Sequence, residues 1–335
     1  MTPGGTVVTQ RGARLTLGRK LGGGGEGDVF EVQGSADRAV KIYHDKYKDP
    51  RAPKIAGMVA EGLSARSTLA SFPIEPVGTE GGGFLGFVMH RVVGRKAINL
   101  LWSPMDRPLH FPGVDWTFLV RAAANAARAV AEVHRTGCVV GDLNGGGLLV
   151  SPQATVAMID ADSFQVRCGT RLFLSEVGIA EFTAPELRGS DFERDPRSRN
   201  HDRFALAVMI FLLLFAGREP YAGRPAAPDV ELHDAIPNHR FAFSRRRDTG
   251  LTPPPAAPTL ADLSPELADA FEAAFSPVGS IGLRPRASEW VELLGRFEAE
   301  LVACSRGLRH RFHPHAGTCT WCRIEREAQL DLFPA

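Results

Sequence analysis

Short stretches in which apolar and polar positions alternate dominate the N-terminal part of the chain. Residues 6–9, 14–17, 28–33 and 38–43 each read as a strand, with glycines between them. Helical spacing follows over 53–67, and two more strand-like stretches lie at 76–79 and 84–89. From Gly94 the pattern changes. Residues 116–135 are alanine-rich with apolar positions three and four apart, which predicts a long helix. Short strands are expected at 148–150 and 156–159, and further helices at 202–217, 264–275 and 287–304. The arginine- and proline-rich stretch 244–259 predicts an exposed loop, and no internal repeat is visible. The expected class is α+β: a strand-rich part over 1–93, a mainly helical part over 94–303, and a short cysteine- and histidine-bearing segment over 304–335.

Composition narrows this picture without redirecting it. The 335 residues are 44% hydrophobic and 23% charged, with a formal net charge of +1. That is ordinary globular composition, with no global field to attract nucleic acid or an anionic membrane. The most apolar run, 204–216, is shorter than the roughly 20 residues a membrane span needs, so a buried helix is expected. No charged leader followed by an apolar stretch opens the chain, and the expected location is the cytoplasm.

Candidate chemistry begins at Gly22, Gly24, Gly27 and Val29, spaced as Gly-x-Gly-x-x-Gly-x-Val. Backbone amides approach phosphates closely only where side chains are absent. This run lies between two strands, which predicts a hairpin flap instead of a strand-to-helix phosphate loop. Lys41 sits fourteen residues beyond Gly27 on an alternating strand and is one of only six lysines among 39 basic residues. A compact ammonium suits phosphate oxygens and a carboxylate partner. Glu61, on the following helix, is the expected partner, ahead of Glu75 and Glu80.

Asp142 lies in Val-Val-Gly-Asp-Leu-Asn, and Asp160 follows eighteen residues later in Asp-Ala-Asp-Ser-Phe. One carboxylate can orient an acceptor hydroxyl while the other holds magnesium against the β- and γ-phosphates. Near the C-terminus, Cys304, His310, His313, His315, Cys319 and Cys322 fall within nineteen residues. Cys319 and Cys322 form a Cys-x-x-Cys knuckle suited to a structural zinc ion, with Cys304 and a histidine, His310 or else His313, completing four ligands.

In this order and at these spacings the motifs resemble those of the eukaryotic-type Ser/Thr protein kinases, over roughly residues 14–300. Ala184-Pro185-Glu186, Asp202 and Arg284 match the family's Ala-Pro-Glu motif, the aspartate opening its central buried helix, and the arginine that pairs with the Ala-Pro-Glu glutamate. The resemblance implies a bilobal fold and Mg- or Mn-dependent transfer of the ATP γ-phosphate to Ser or Thr of a protein. It implies Asp142 as base, Asp160 as metal ligand and Lys41 as phosphate clamp. Leu21, Gly22, Gly24, Gly27, Val29, Ala39, Met89, Arg91 and Val92 would surround the nucleotide. The Gly-Asp-Leu-Asn and Asp-x-Asp-Ser-Phe variants resemble a bacterial branch that accompanies PP2C-type phosphatases and von Willebrand A-domain proteins in stress and tellurium-resistance clusters. No nucleic-acid or membrane partner is expected.

Departures from the pattern set the alternatives. Gly141 replaces an arginine, Ile179 a threonine, and Gly147 the asparagine that binds metal; Asn144 stands where a lysine is usual. Asp162 replaces the glycine of Asp-Phe-Gly, and Asp162 or Asn144 is expected to compensate at the metal. Ser175 and Thr183 are candidate autophosphorylation sites. A nucleotide-binding pseudokinase that scaffolds partners is the main alternative, and a small-molecule phosphotransferase the second.

Overall fold

The computed structural model describes residues 1–227, 230, 232–307 and 309–334. Six strands, β1 (Thr6–Thr9), β2 (Arg14–Gly23), β3 (Gly27–Val32), β4 (Arg38–Tyr43), β5 (Pro73–Gly78) and β6 (Phe84–His90), close into a barrel in the order β1-β2-β3-β4-β6-β5. Alternation along each strand turns one set of side chains inward. Val7, Leu17, Phe30, Val32, Val40, Ile42, Val77, Leu85 and Val88 form a core of their own there. Closure comes from β1, which pairs with both β2 and β5. The pattern along the chain does not predict this closure, because pairing between strands so distant in sequence leaves no local signal.

Helix α1 (Asp45–Ala60) follows β4, and the short α2 (Leu63–Arg66) follows a left-handed turn at Gly62. The expected helix at 53–67 therefore begins eight residues earlier and breaks at Gly62. Pro50 and Pro53 both lie inside α1, Pro53 at the position from which the helix was expected to start. Packing of Ile55 and Met58 into the core outweighs the two missing amides.

Beyond β7 (Lys96–Ala97) and α3 (Arg107–His110), the long α4 (Trp116–Thr136) starts at Asp115, whose carboxylate accepts the Phe118 amide. It ends at Gly137, at φ 97°. The strand β8 (Leu148–Val150) pairs with β7 on one side and β9 (Val156–Met158) on the other in a small sheet, and β10 (Val166–Cys168) pairs with β11 (Arg171–Phe173). Helix α5 (Arg199–Leu214) is buried over almost its whole length, which explains the apolar run at 204–216. No helix among the described residues is long and apolar enough to cross a membrane. Strands β12 (Arg224–Pro225) and β13 (Leu251–Thr252) pair across an otherwise largely irregular stretch before α6 (Pro265–Ala274). Helix α7 (Ala287–Glu300) packs along α4 and stops short of the expected Cys304. The chain there turns into β14 (Val302–Ala303), which pairs with β15 (Arg311–Phe312) ahead of α8 (Thr320–Ala328).

One partly buried ion pair ties the segment before α5 to the segment before α7. Arg284, with a fully buried side chain, grips both carboxylate oxygens of Glu186 and also donates to the Ala274 and Asn200 carbonyls. Burial pushes the Glu186 carboxyl up, but Arg284 holds it below its ordinary value on balance. Glu186→Ala strands that guanidinium without a counter-charge. The expected loss is about 3 kcal/mol of stability, read as a lower urea midpoint at unchanged slope.

Candidate active site

The glycine-rich run is the turn between β2 and β3. Gly27 lies so close to β4 that a Cβ there would stand 2.4 Å from the Ile42 carbonyl oxygen, so only glycine is accommodated. The tip is held down by the His44 amide, which donates to the Glu26 carbonyl at 2.8 Å, and by Arg51, which donates to the Glu26 carboxylate at 2.6 Å. Arg51 also reaches Glu176 at 2.9 Å, linking the hairpin to the segment that follows β11.

Cross-strand register places the lining of the cleft. Val29 is paired with Lys41, and Ala39 with Met89, so Val29, Ala39, Lys41 and Met89 share one face of the barrel wall. Leu21 is partly exposed on β2 beside them, at an irregularity in the pairing with β3. Beyond β6, the Arg91 amide donates to the Asp37 carbonyl and its guanidinium pairs with Glu31 at 2.7 Å. The Arg91 amide and guanidinium are therefore committed to the barrel edge; Val92 follows it, half-buried.

The ammonium of Lys41 lies 2.7 Å from Asp162 and 3.8 Å from Asp160. Burial pulls that amine down, but the two carboxylates more than offset it, and it is held above its ordinary value. Glu61 is not its partner. Helix α1 ends at Ala60, and Glu61 accepts the Gly169 amide at 3.1 Å instead. Asp162 is likewise reassigned. It is buried, its Oδ2 accepts both Lys41 and the Tyr43 hydroxyl at 2.6 Å, and these partners hold it ionised against the cost of burial. An oxygen so engaged is a counter-ion for the lysine and not an open metal ligand.

Asp160 adopts a left-handed backbone, φ 57° and ψ 32°, and leaves more than half of its side chain open. The cleft walls still desolvate it enough to push its carboxyl up; Lys41 opposes this, while Asp162, Glu26 and Asp142 add to it. Asp142 follows a loop organised by buried Asp202. That carboxylate accepts the Val140 and Gly141 amides at 2.8 Å each and pairs with His134 at 2.8 Å. The Asp142 Oδ1 is buried with no hydrogen-bond partner among the described residues. A carboxylate oxygen left in that state is costly unless a hydroxyl or cation approaches it. Asp160, open to the cleft, suits a hard divalent cation with oxygen ligands, and the under-satisfied Asp142 suits an approaching hydroxyl.

Asn144 closes its own turn, accepting the Gly146 amide at 2.9 Å and donating to the Asp142 carbonyl at 3.1 Å. It is thus engaged locally, away from the expected compensating role at a metal. Gly147 is roomy, since a Cβ there meets only the Asn144 carbonyl, at 3.9 Å. At Gly141, φ is 79° and a Cβ would lie 2.4 Å from the Ser175 Cβ, so the position usually held by arginine has no space for one. Ser175 is 1% exposed, which removes it as a candidate for modification in this state, and Thr183 donates to the Ile179 carbonyl.

At the C-terminal end, Cys304, His310, Cys319 and Cys322 bring one ligand atom each within 4.8 Å of one another. The Cys304 and Cys322 sulfurs are 3.6 Å apart, close to the about 3.8 Å edge of a tetrahedron with Zn–S bonds of about 2.3 Å. His310 turns Nδ1 towards Cys322 at 3.4 Å, while its Nε2 is held by Glu325 at 3.0 Å. A carboxylate behind a ligating imidazole is the usual means of fixing its orientation. His313 is excluded from the cluster. Its Nε2 pairs with Glu300 at 2.7 Å and its ring stacks on Phe297. The two histidines are three residues apart, and only the β15 geometry separates their roles.

No protein-family model matches the chain. It is 36% identical over 329 residues to a protein kinase, YegI, of Escherichia coli strain K12, a match covering 97% of this chain and 51% of that protein. The YegI protein kinase of Escherichia coli O157:H7 gives 36% over 330 residues, with the same coverage. The chain thus spans about half the length of the curated relatives it matches. Among solved structures, the ROP18 kinase domain in complex with AMP-PNP and sucrose superposes with a TM-score of 0.59 at 15% identity, covering 88% of this chain and 83% of that one. That likeness shows the fold, which is the fold of a protein-kinase domain.

Proposed function

We propose that the chain is a protein kinase that transfers the γ-phosphate of ATP to a serine or threonine hydroxyl of a protein. The observation that carries this reading is the convergence of Lys41 and Asp160, 3.8 Å apart, beneath the glycine hairpin. Asp142 stands on a loop that the buried Asp202 holds in place. Lys41 neutralises phosphate oxygens of the nucleotide, and the apolar wall of Val29, Ala39 and Met89 takes the base. Asp160 is the residue that would hold magnesium or manganese, which when bound offsets the charge of the β- and γ-phosphates.

Asp142 orients the acceptor hydroxyl and receives its proton as the oxygen bonds to the γ-phosphorus and the bond to ADP breaks. The Glu186–Arg284 pair favours a protein acceptor over a metabolite, since the family resemblance attaches that scaffold to protein substrates. Zinc at Cys304, His310, Cys319 and Cys322 is structural in this reading. A cytoplasmic place in bacterial stress signalling, with a PP2C-type phosphatase and a von Willebrand A-domain protein as partners, rests on the motif resemblance alone.

The test is phosphoamino-acid analysis of labelled protein after incubation with ATP and magnesium. Phosphoserine or phosphothreonine is expected, and label confined to a small-molecule acceptor would overturn the reading. Gly147 offers a second handle. Because the position admits a side chain, Gly147→Asn is expected to lower the magnesium concentration for half-maximal transfer roughly tenfold. A magnesium titration of both proteins checks it.

A further inference from the structure

We propose that Asp162, oriented by Tyr43, is the residue that positions Lys41 for the nucleotide, and that helix α1 supplies no carboxylate for this task. The inference rests on the kinase reading for the identity of the ligand and concerns how the phosphate lysine is held. Lys41 is anchored 121 residues away in sequence, at 2.7 Å, by a carboxylate only 3% exposed. Tyr43, two residues along the same strand and therefore on the same face, donates to the same oxygen at 2.6 Å. Burial and the neighbouring carboxylate push the Tyr43 phenol far up, so it remains a donor throughout the working range.

Helix α1 has the opposite chemistry. Its acids, Asp45 and Asp49, lie exposed at its beginning, and its buried face carries Lys54, Ile55 and Met58. The Lys54 amine donates to the Leu174 carbonyl at 3.2 Å and feels Asp162 through space. A second cation thus faces the cleft from the helix, where a carboxylate would be needed if α1 held Lys41. Arg51, one turn earlier, is spent on Glu26 and Glu176. The pair Lys41–Asp162 also explains why Asp replaces glycine two residues after Asp160. A buried lysine needs a counter-charge, and the short helical turn at Ala161–Ser163 delivers one from the same segment that carries Asp160.

This arrangement makes lysine placement a property of the barrel and the Asp160–Asp162 turn together, independent of how α1 is seated. The test uses calorimetric affinity for Mg-ATP and steady-state transfer rates on the full chain. The proteins are wild type, Asp162→Asn, Tyr43→Phe, Glu61→Ala, and the double variant Asp162→Asn/Lys54→Glu, each with its thermal midpoint. Asp162→Asn is expected to weaken nucleotide binding about tenfold or more and to lower kcat as well. Tyr43→Phe, which keeps the ring packing, is expected to give a smaller loss in the same direction, and Glu61→Ala wild-type affinity.

The double variant moves the carboxylate to α1 and is expected to recover most of the lost affinity, a rescue that a merely structural Asp162 would not show. Asp162→Asn with wild-type affinity or raised activity overturns the inference, as does a Glu61→Ala loss equal to that of Asp162→Asn. Should Asp162→Asn fail to fold, unchanged affinity in Tyr43→Phe overturns it equally. A wild type that binds no nucleotide overturns the kinase reading and this inference with it; wild-type binding with an indifferent Asp162→Asn overturns this inference alone.

Discussion

Asp142→Asn is expected to abolish most phosphate transfer while leaving the nucleotide bound. The substitution keeps the volume of the side chain and removes its ability to take a proton. General-base contributions of this kind amount to about 10²–10⁴-fold in rate, so kcat should fall within that range. Lys41, Asp160 and the β2–β3 hairpin are untouched, and the ATP dissociation constant should change by less than about twofold. Stability should hold or rise. Asp142 presents a buried oxygen without a partner, and an amide costs less to bury than a carboxylate. A stable variant with intact binding and lost transfer separates chemistry from scaffold. Turnover and calorimetry on the same preparation make the comparison.

Loss of the zinc proposed for the C-terminal cluster is expected to produce the largest stability effect in the molecule. Helix α8 sits against the main body through Trp321, whose ring packs edge-on to Trp116 at 5.0 Å and to Phe333 at 4.9 Å. Trp116 in turn packs on Phe297 of α7 and donates to the Leu214 carbonyl at the end of α5. The strands β14 and β15 are two residues each and cannot hold this segment by themselves. Binding of a structural zinc by such a segment is worth on the order of 10 kcal/mol, comparable to the whole net stability of a typical domain, ~5–15 kcal/mol.

Cys319→Ser, or dialysis against a strong chelator, should therefore lower the thermal midpoint sharply and expose Trp321. Metal analysis of the purified protein should find zinc in an amount that disappears in the variant. Thermal melting together with tryptophan emission reads both effects. Zinc-free protein with an unchanged midpoint would show that the four ligand atoms gather without metal.

Much of the site was legible because its signals are local. The glycine spacing, Lys41 on an alternating strand, and the interval from Asp142 to Asp160 are fixed by sequence distance. What the sequence did not reveal are choices made between elements. Lys41 takes its counter-charge from Asp162 and not Glu61, a decision set by where α1 ends and by Tyr43 sharing the strand face. Asn144 is consumed by its own turn, which its place beside three glycines could have suggested. The sequence ranked His310 ahead of His313 as a ligand, and β15, Glu300 and Glu325 bear out that order. Barrel closure and the early start of α1 likewise depend on long-range pairing and packing, the latter in spite of two prolines.

The most direct test of the account is transfer of labelled γ-phosphate from ATP by the wild-type chain, with magnesium and then manganese, alongside Asp142→Asn. The account predicts metal-dependent label on protein that the substitution removes. Wild-type protein that binds ATP and transfers nothing under either metal, to itself or to the proteins of a bacterial extract, would contradict it and leave a nucleotide-binding scaffold.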